Sequence, residues 1–209
     1  MYEPLHFRVE DREAIHAFIR AHPLGLLVIA REGRASADAI PFLLDGDGEH
    51  VRLRAHVARA NPLWRDAEGR EALVVFRGPD HYVSPGWYPS KREHGKVVPT
   101  WNYAMVQARG IIRVRDVKDW VRGQVSELTE THEQQFEKPW AVEDAPGAYM
   151  EAQMSAIVGI EIEVRELKAK FKLSQNRPEG DRRGVEAALA ERGEGETLEL
   201  MGSMKEPGA

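Results

Sequence analysis

The sequence contains no cysteine. Disulfides, thiolate nucleophiles and Cys-based zinc or iron–sulfur centres are therefore excluded. No stretch approaches the ~18 consecutive apolar residues that a membrane-spanning helix needs. The opening MYEPLHFRVEDRE carries early charges instead of an apolar run, so no signal peptide is expected and a cytoplasmic protein is the default. There is no excess of positive charge: 29 Lys and Arg face 34 Asp and Glu, for a formal charge of −5. Nucleic-acid binding proteins need many cations for phosphate contacts, and this balance gives no push in that direction. Neither G-x-G-x-x-G nor G-x-x-x-x-G-K-[ST] occurs, which removes the common phosphate-cradling loops. G-x-S-x-G and H-E-x-x-H are missing too, and the eight His residues show no metal-ligand spacing. No catalytic residue and no metal site is assigned.

What is present is an ordinary globular mix, with 42% hydrophobic and 30% charged residues over 209 positions. That length suits one domain with a real core. Asp11 is placed to cap a helix whose Ile15, Phe18 and Ile19 share one face. Strands are expected at 26–29, 37–44, 51–57 and 72–76, with a turn at Asp45-Gly46-Asp47-Gly48. Gly78-Pro79 is expected to interrupt the fourth strand before Tyr82-Val83. A long strand or bent pair fits 97–114, and Asp116 can cap a helix with Val117, Trp120, Val121, Val125 and Leu128 on one stripe. A short helix fits 145–154. From Val158 the apolar residues alternate, and at Leu167 the phase flips, which predicts a bulge or bend near Arg165–Glu166. A last helix runs from Asp181 to Glu191, and Gly193 ends it. Residues 194–209 are polar and predict a flexible tail beyond a single domain over 1–193. Six or seven strands with flanking helices, and no run of alternating strand–helix units, point to a mainly β (α+β) fold built on an antiparallel barrel.

Four segments could carry chemistry. In His56-Val57-Ala58-Arg59-Ala60-Asn61-Pro62 a strand end is followed by a turn, where His56, Arg59 and Asn61 could converge on one anion; the plainer reading is a strand end with a solvated Arg and a turn-making Asn-Pro. Ser84-Pro85-Gly86-Trp87-Tyr88-Pro89-Ser90-Lys91 is a stiff aromatic loop that could cover a planar ring, with Lys91 meeting a charge, or plug one end of a barrel. Val98-Pro99-Thr100-Trp101-Asn102-Tyr103 gathers an indole, an amide and a hydroxyl, as a flat heterocycle with polar edges requires, unless Trp101 belongs to the core. Lys170-Phe171-Lys172-Leu173-Ser174-Gln175-Asn176 has alternating lysines, usually a wet face, followed by three hydrogen-bonding side chains that could contact a ligand or a partner chain.

Taken in order, these segments resemble the PaiB family. The resemblance runs through MYEPLHF at 1–7, Ile40-Pro41-Phe42, HVARANP at 56–62, GPDHYVSPGWYPSK at 78–91, VPTWNY at 98–103, PW at 139–140, IVGIEI at 157–162 and KFKLSQNR at 170–177. It implies an FMN-binding split β-barrel, a homodimer with cofactor sites at the subunit interface, and a role as a negative transcriptional regulator. By resemblance, His56, Arg59 and Asn61 serve the phosphate and ribityl end, and Thr100, Trp101 and Asn102 lie near the isoalloxazine or its tail. Trp87, Tyr88 and Lys91 form the rim, and Lys172, Ser174 and Gln175 reach the cofactor or the other subunit. Ala39 departs from the family pattern, which is expected to have His before Ile-Pro-Phe. The acidic chain shows no evident helix-turn-helix, so direct DNA binding does not follow from the sequence. An FMN-dependent oxidoreductase or a haem-handling enzyme on the same fold is the alternative, by analogy of fold alone.

Overall fold

The computed structural model describes residues 1–204 except Asp47 and Glu49. Its first elements are β1 (Arg8–Val9), α1 (Arg12–Ala21), β2 (Leu24–Arg31), β3 (Arg34–Pro41), β4 (Leu43–Asp45) and β5 (Arg52–Ala58). They are followed by β6 (Glu71–Val83), α2 (Ser90–His94), β7 (Thr100–Arg115), α3 (Lys118–Glu133), α4 (Gly147–Ser155), β8 (Ile157–Lys172), α5 (Glu179–Glu191) and α6 (Gly195–Ser203). The strands form one sheet in the order β3-β2-β6-β7-β8-β5-β4, with β1 paired antiparallel to β8. This is the mainly β, α+β architecture that the pattern predicts. No helix among the described residues is long and apolar enough to cross a membrane.

Two compact units share the chain. The first comprises 1–15, 77–106 and 168–204, and the second 16–76 and 107–167. Neither is contiguous, and β6, β7 and β8 contribute residues to both. The sequence points to one domain over 1–193 because nothing in it reads as a linker; the division falls instead within strands.

In the second unit, β2 pairs with β3 from Leu24↔Pro41 to Arg31↔Arg34, and with β6 from Leu26↔Val75 to Val28↔Leu73. Leu27, Ile29, Val74 and Phe76 point into the core with 1% exposure or less. β5 pairs with β8 from Arg52↔Glu163 to Ala58↔Ile157. Val121, Val142, Met150 and Met154 make a smaller apolar cluster under α3 and α4. Gly159 is required there, because an added Cβ would collide with the Trp120 indole.

Several expectations need correction. The Asp11 carboxylate does accept from the Glu13 and Ala14 N–H groups, but Asp116 does not cap α3, whose N-terminal residue Val117 has no side-chain cap. Gly78-Pro79 does not interrupt β6. The β2 ladder ends at Val75, so Pro79, which lacks an N–H, sits past that pairing. The expected 37–44 strand is split at Phe42 into β3 and β4. Of the predicted 45–48 turn, Gly46 and Gly48 have φ of 83° and 58°, and Asp47 lies outside the described residues. β8 runs unbroken through Arg165–Glu166, where both residues are exposed. Its phase flip coincides with an exchange of partner strands, from β5 over 157–163 to β1 at 169–170.

The predicted tail is also corrected up to Met204; residues 205–209 lie outside the described ones. Within the first unit, α6 buries Thr197 and Met201 to 1% exposure, and Arg182 donates to the Met201 carbonyl at 2.7 Å. A polar average hides the spacing of Thr197 and Met201, one helical turn apart. Met201→Ala should therefore cost about 2–5 kcal/mol, as for other buried Met truncations. Urea unfolding of wild type and variant checks this, and a change below about 0.5 kcal/mol, the level of surface substitutions, would show that α6 is not docked.

Candidate functional site

The predicted site residues fall into two groups. In the second unit, His56 stands on β5 and its Nδ1 is 2.7 Å from Gln124 Oε1 on α3. Gln124 is fully buried, and its Nε2 has no partner. Arg59 is spoken for: Nη1 and Nη2 donate to the two Asp116 carboxylate oxygens at 2.8 and 2.6 Å. Its Nε donates to the Ser155 carbonyl at 2.8 Å, and Nη2 also reaches the Ile157 carbonyl at 3.1 Å. The forked pair with Arg59 holds the Asp116 carboxyl below its ordinary value. Asn61 accepts from the Leu63 N–H at 2.8 Å, starting the 3₁₀ turn Pro62–Trp64, and donates to Asp38 at 3.2 Å. All three side chains tie the strand end and turn to their own unit, and a phosphate at Arg59 would have to displace a bidentate carboxylate.

In the first unit, the 84–96 segment is not a free rim. Pro85–Trp87 forms a 3₁₀ turn, and α2 follows. The buried Asp181 carboxylate on α5 accepts from the Ser90 N–H at 3.1 Å and from Ser90 Oγ at 2.7 Å. Gly184 meets the Trp87 carbonyl so closely that no Cβ fits. Tyr88 is a core residue at 2% exposure, with the Arg177 guanidinium 5.0 Å from its ring centroid. Arg192 lies 5.2 Å from the Trp87 ring, and Lys91 is exposed on α2. Trp87, Arg192, His81 and Glu194 help line a cleft of about 290 Å³.

On β7 of the same unit, Trp101 is 52% exposed, not part of the core, and meets the exposed Tyr82 ring edge-on at 6.0 Å. With Tyr103, Met105, Arg77 and Asp80, Trp101 lines a mostly apolar cleft of about 520 Å³. The opposite face of β7 buries Asn102 to 1% exposure. Ser174 Oγ donates to Asn102 Oδ1 at 3.0 Å, while Asn102 Nδ2 has no partner. Turning the amide over would only exchange which atom is left alone. Ser174 holds a φ of 66°, a left-handed conformation uncommon for a residue with a side chain. Gln175 folds back onto its strand end, accepting from the Leu173 N–H at 2.7 Å and donating to the Phe171 carbonyl.

The lysines of β8 are not a wet face. Lys172 donates from Nζ to Thr100 Oγ1 and to the Trp101 carbonyl. Lys170 is only 8% exposed, its ammonium 5.3 Å from the Tyr103 ring centroid and 5.5 Å from that of Tyr2. Burial, with the like charges of Lys170 and Arg177 added, lowers the Lys172 pKa below its ordinary 10.5. The structure thus brings Thr100, Trp101, Asn102, Lys172, Ser174 and Gln175 together in one unit. Lys170 and Arg177 are additions that sequence reasoning missed; alternation alone does not reveal aromatic cover. The exposed Trp101 ring and the nearby cations fit a flavin nucleotide's ring and phosphate, while the Asn102 amide lies buried on the opposite face of β7.

Because the folded chain holds the Lys172 proton less firmly than the unfolded one, the ligand-free protein carries a cost at neutral pH that is relieved as pH rises through the depressed value toward 10.5. Wild-type stability should therefore rise relative to Lys172→Met as pH climbs through the depressed Lys172 pKa toward 10.5. Urea titrations of both proteins at several pH values measure the difference, and parallel curves would contradict it.

Residues 1–166 match the family described as "Putative FMN-binding domain". An uncharacterized protein of Emericella nidulans is 36% identical over 208 residues, covering 82% of this chain and 83% of that protein. Protease synthase and sporulation protein PAI 2 of Bacillus subtilis is 34% identical over 182 residues, 87% of this chain and 85% of that one. Among solved structures, the FAD and heme binding protein from Mycobacterium smegmatis aligns with a TM-score of 0.56 at 19% identity, over 79% of this chain and 73% of that one. The flavocytochrome Anf3 from Azotobacter vinelandii aligns with a TM-score of 0.57 at 14% identity, over 79% of this chain and 69% of its own. At such identities the solved structures speak to the fold, a split β-barrel, and to nothing further. The chain belongs to the PaiB family, and its residues 1–166 match the family's putative FMN-binding domain.

Proposed function

We propose that this protein binds FMN as a homodimer, with the cofactor at the interface between copies, and acts as a flavin-responsive regulator of transcription. The observation that carries the flavin reading is the family match over 1–166, joined to the Thr100–Asn102 and Lys172–Gln175 cluster. Trp101 would face the ring system, Thr100 would meet a polar group of the ligand, and the buried Asn102–Ser174 pair would hold the two strand segments in place. A bound flavin would supply reversible one- and two-electron redox chemistry, and the chain would bind and orient it. The regulatory part rests on the family resemblance and on the name of the Bacillus subtilis relative.

Support for the dimer comes from one sheet face of the second unit. Leu24, Leu26, Val28 and Ala30 of β2 share that face with Pro41, Ala39, Ala37 and Ala35 of β3, and with Leu73 and Val75 of β6. Every one of these side chains is apolar, yet Leu24 is 64% and Leu26 42% exposed. β3 is also the edge of the sheet. A flat apolar face at an open edge invites pairing with another chain, and a second copy offers the same surface to it. Ala39, where the family pattern leads one to expect His, lies on this face opposite Leu26, so the substitution makes the face more apolar.

Two measurements test this reading. Adding FMN to the purified protein should give a bound-flavin absorption spectrum and a higher melting temperature; no spectral change and no shift would remove the flavin reading. Light scattering at micromolar concentration should give a dimer for wild type and a monomer for Leu26→Glu with intact circular dichroism. A monomeric wild type would remove the dimer. For the regulatory output, a gel-shift series at several salt concentrations tests direct DNA contact, which would weaken as salt rises; binding to no promoter fragment would eliminate it.

A further inference from the structure

Among the described residues, three cations of the first unit form no direct ion pair with a carboxylate. Lys170 and Lys172 alternate at the end of β8, and Arg177 follows in the turn that leads to α5. Lys170 is 8% exposed and faces the rings of Tyr2 and Tyr103. Lys172 donates only to the neutral oxygens of Thr100 and Trp101, so one of its three N–H groups remains. Arg177 lies over the Tyr88 ring. Among the described residues none of the three pairs with a carboxylate.

Other arginines of the chain are matched: Arg59 with Asp116, Arg54 with Asp45, Arg113 with Glu163, Arg115 with Glu161. Acidic residues are also plentiful, 34 against 29 basic, so the lack of a direct ion pair here is not a matter of supply. Partly buried cations in a group are held against desolvation and mutual repulsion unless an anion joins them. Beside them, the 1%-exposed Asn102 leaves an amide atom unpaired.

We propose that Lys170, Lys172 and Arg177 bind a phosphate monoester dianion, and that this is the phosphate of FMN. The identification of the ligand rests on the flavin reading above; the anion site does not. The planar guanidinium of Arg177 can grip two phosphate oxygens while the ammonium groups act as point charges. The three residues lie beyond residue 166, where the family match ends, and the assignment moves the phosphate away from Arg59, whose guanidinium is already bound to Asp116.

The test is a set of titrations with FMN and with riboflavin, which lacks the phosphate, at fixed salt. Lys172→Gln and Arg177→Gln should each weaken FMN about ten- to a hundredfold, as expected for lost bonds to a charged group, and leave riboflavin unchanged. Lys172→Arg should keep most of the preference for FMN, and Arg59→Gln should keep all of it. Circular dichroism confirms that each variant is folded. Equal losses of both ligands, no loss of either, or a selective FMN loss in Arg59→Gln alone would overturn the proposal. If wild type binds neither flavin, the flavin reading has failed, and inorganic phosphate then decides the anion site. A melting-temperature rise with phosphate in wild type, absent in Lys172→Gln, upholds it; no rise in wild type overturns it.

Discussion

Charge removed from water has to be answered by opposite charge or by well-placed dipoles, and the end of β8 answers it only in part. Lys170 is enclosed by tyrosine rings, Lys172 is held by a hydroxyl and a carbonyl, and Arg177 rests on an aromatic face. The strand alternation places the two lysines on one side, and the turn through Ser174, strained at φ 66°, brings Arg177 round. Ser174 is fixed by Asn102, and Asn102 is flanked on β7 by Trp101, whose carbonyl Lys172 holds. The exposed indole, the buried amide and the cations are thus parts of one arrangement within the first unit.

α5 fixes the neighbouring loop of that unit. Asp181 takes both Ser90 donors, and Gly184 permits the Trp87 backbone to approach. A hydrogen bond to a buried carboxylate is worth about 1.5–3 kcal/mol, which is enough to hold an otherwise irregular segment in one conformation. The second unit solves a different problem. Its strand-end turn is closed by the Arg59–Asp116 fork and the Asn61 cap, and its β2–β3–β6 face is left apolar and open.

The sheet was largely legible in the sequence. Val, Ile and Leu at every second position mark the half-buried strands, and Asp11 and Gly193 punctuate their helices through local chemistry that a sequence displays. Asp116 shows the limit: it has the right residue type at the right offset for a cap, but a guanidinium 57 positions away binds it more favourably. α6 was hidden because its buried residues, Thr197 and Met201, are few and one of them is polar. Lys170 was read as solvated because period-2 charge usually is; its cover comes from Tyr2 and Tyr103, which only tertiary structure brings close. Of the candidate site, the 98–103 and 170–176 segments, read separately in the sequence, meet through the Lys172 and Ser174 contacts, whereas His56, Arg59 and Asn61 each have a separate partner instead of converging on an open anion.

The account turns on a cationic group completed by the phosphate of a flavin nucleotide. ¹³C-labelled lysine NMR, following the Lys172 Cε signal against pH, reads that group directly. Without ligand the Lys172 pKa should lie below the ordinary 10.5, as burial and its like-charged neighbours dictate. On saturation with FMN it should rise, because a dianion beside the ammonium favours the protonated form, and riboflavin should leave it unmoved. A Lys172 pKa that is ordinary in the free protein, or one that FMN and riboflavin shift alike, would contradict the account.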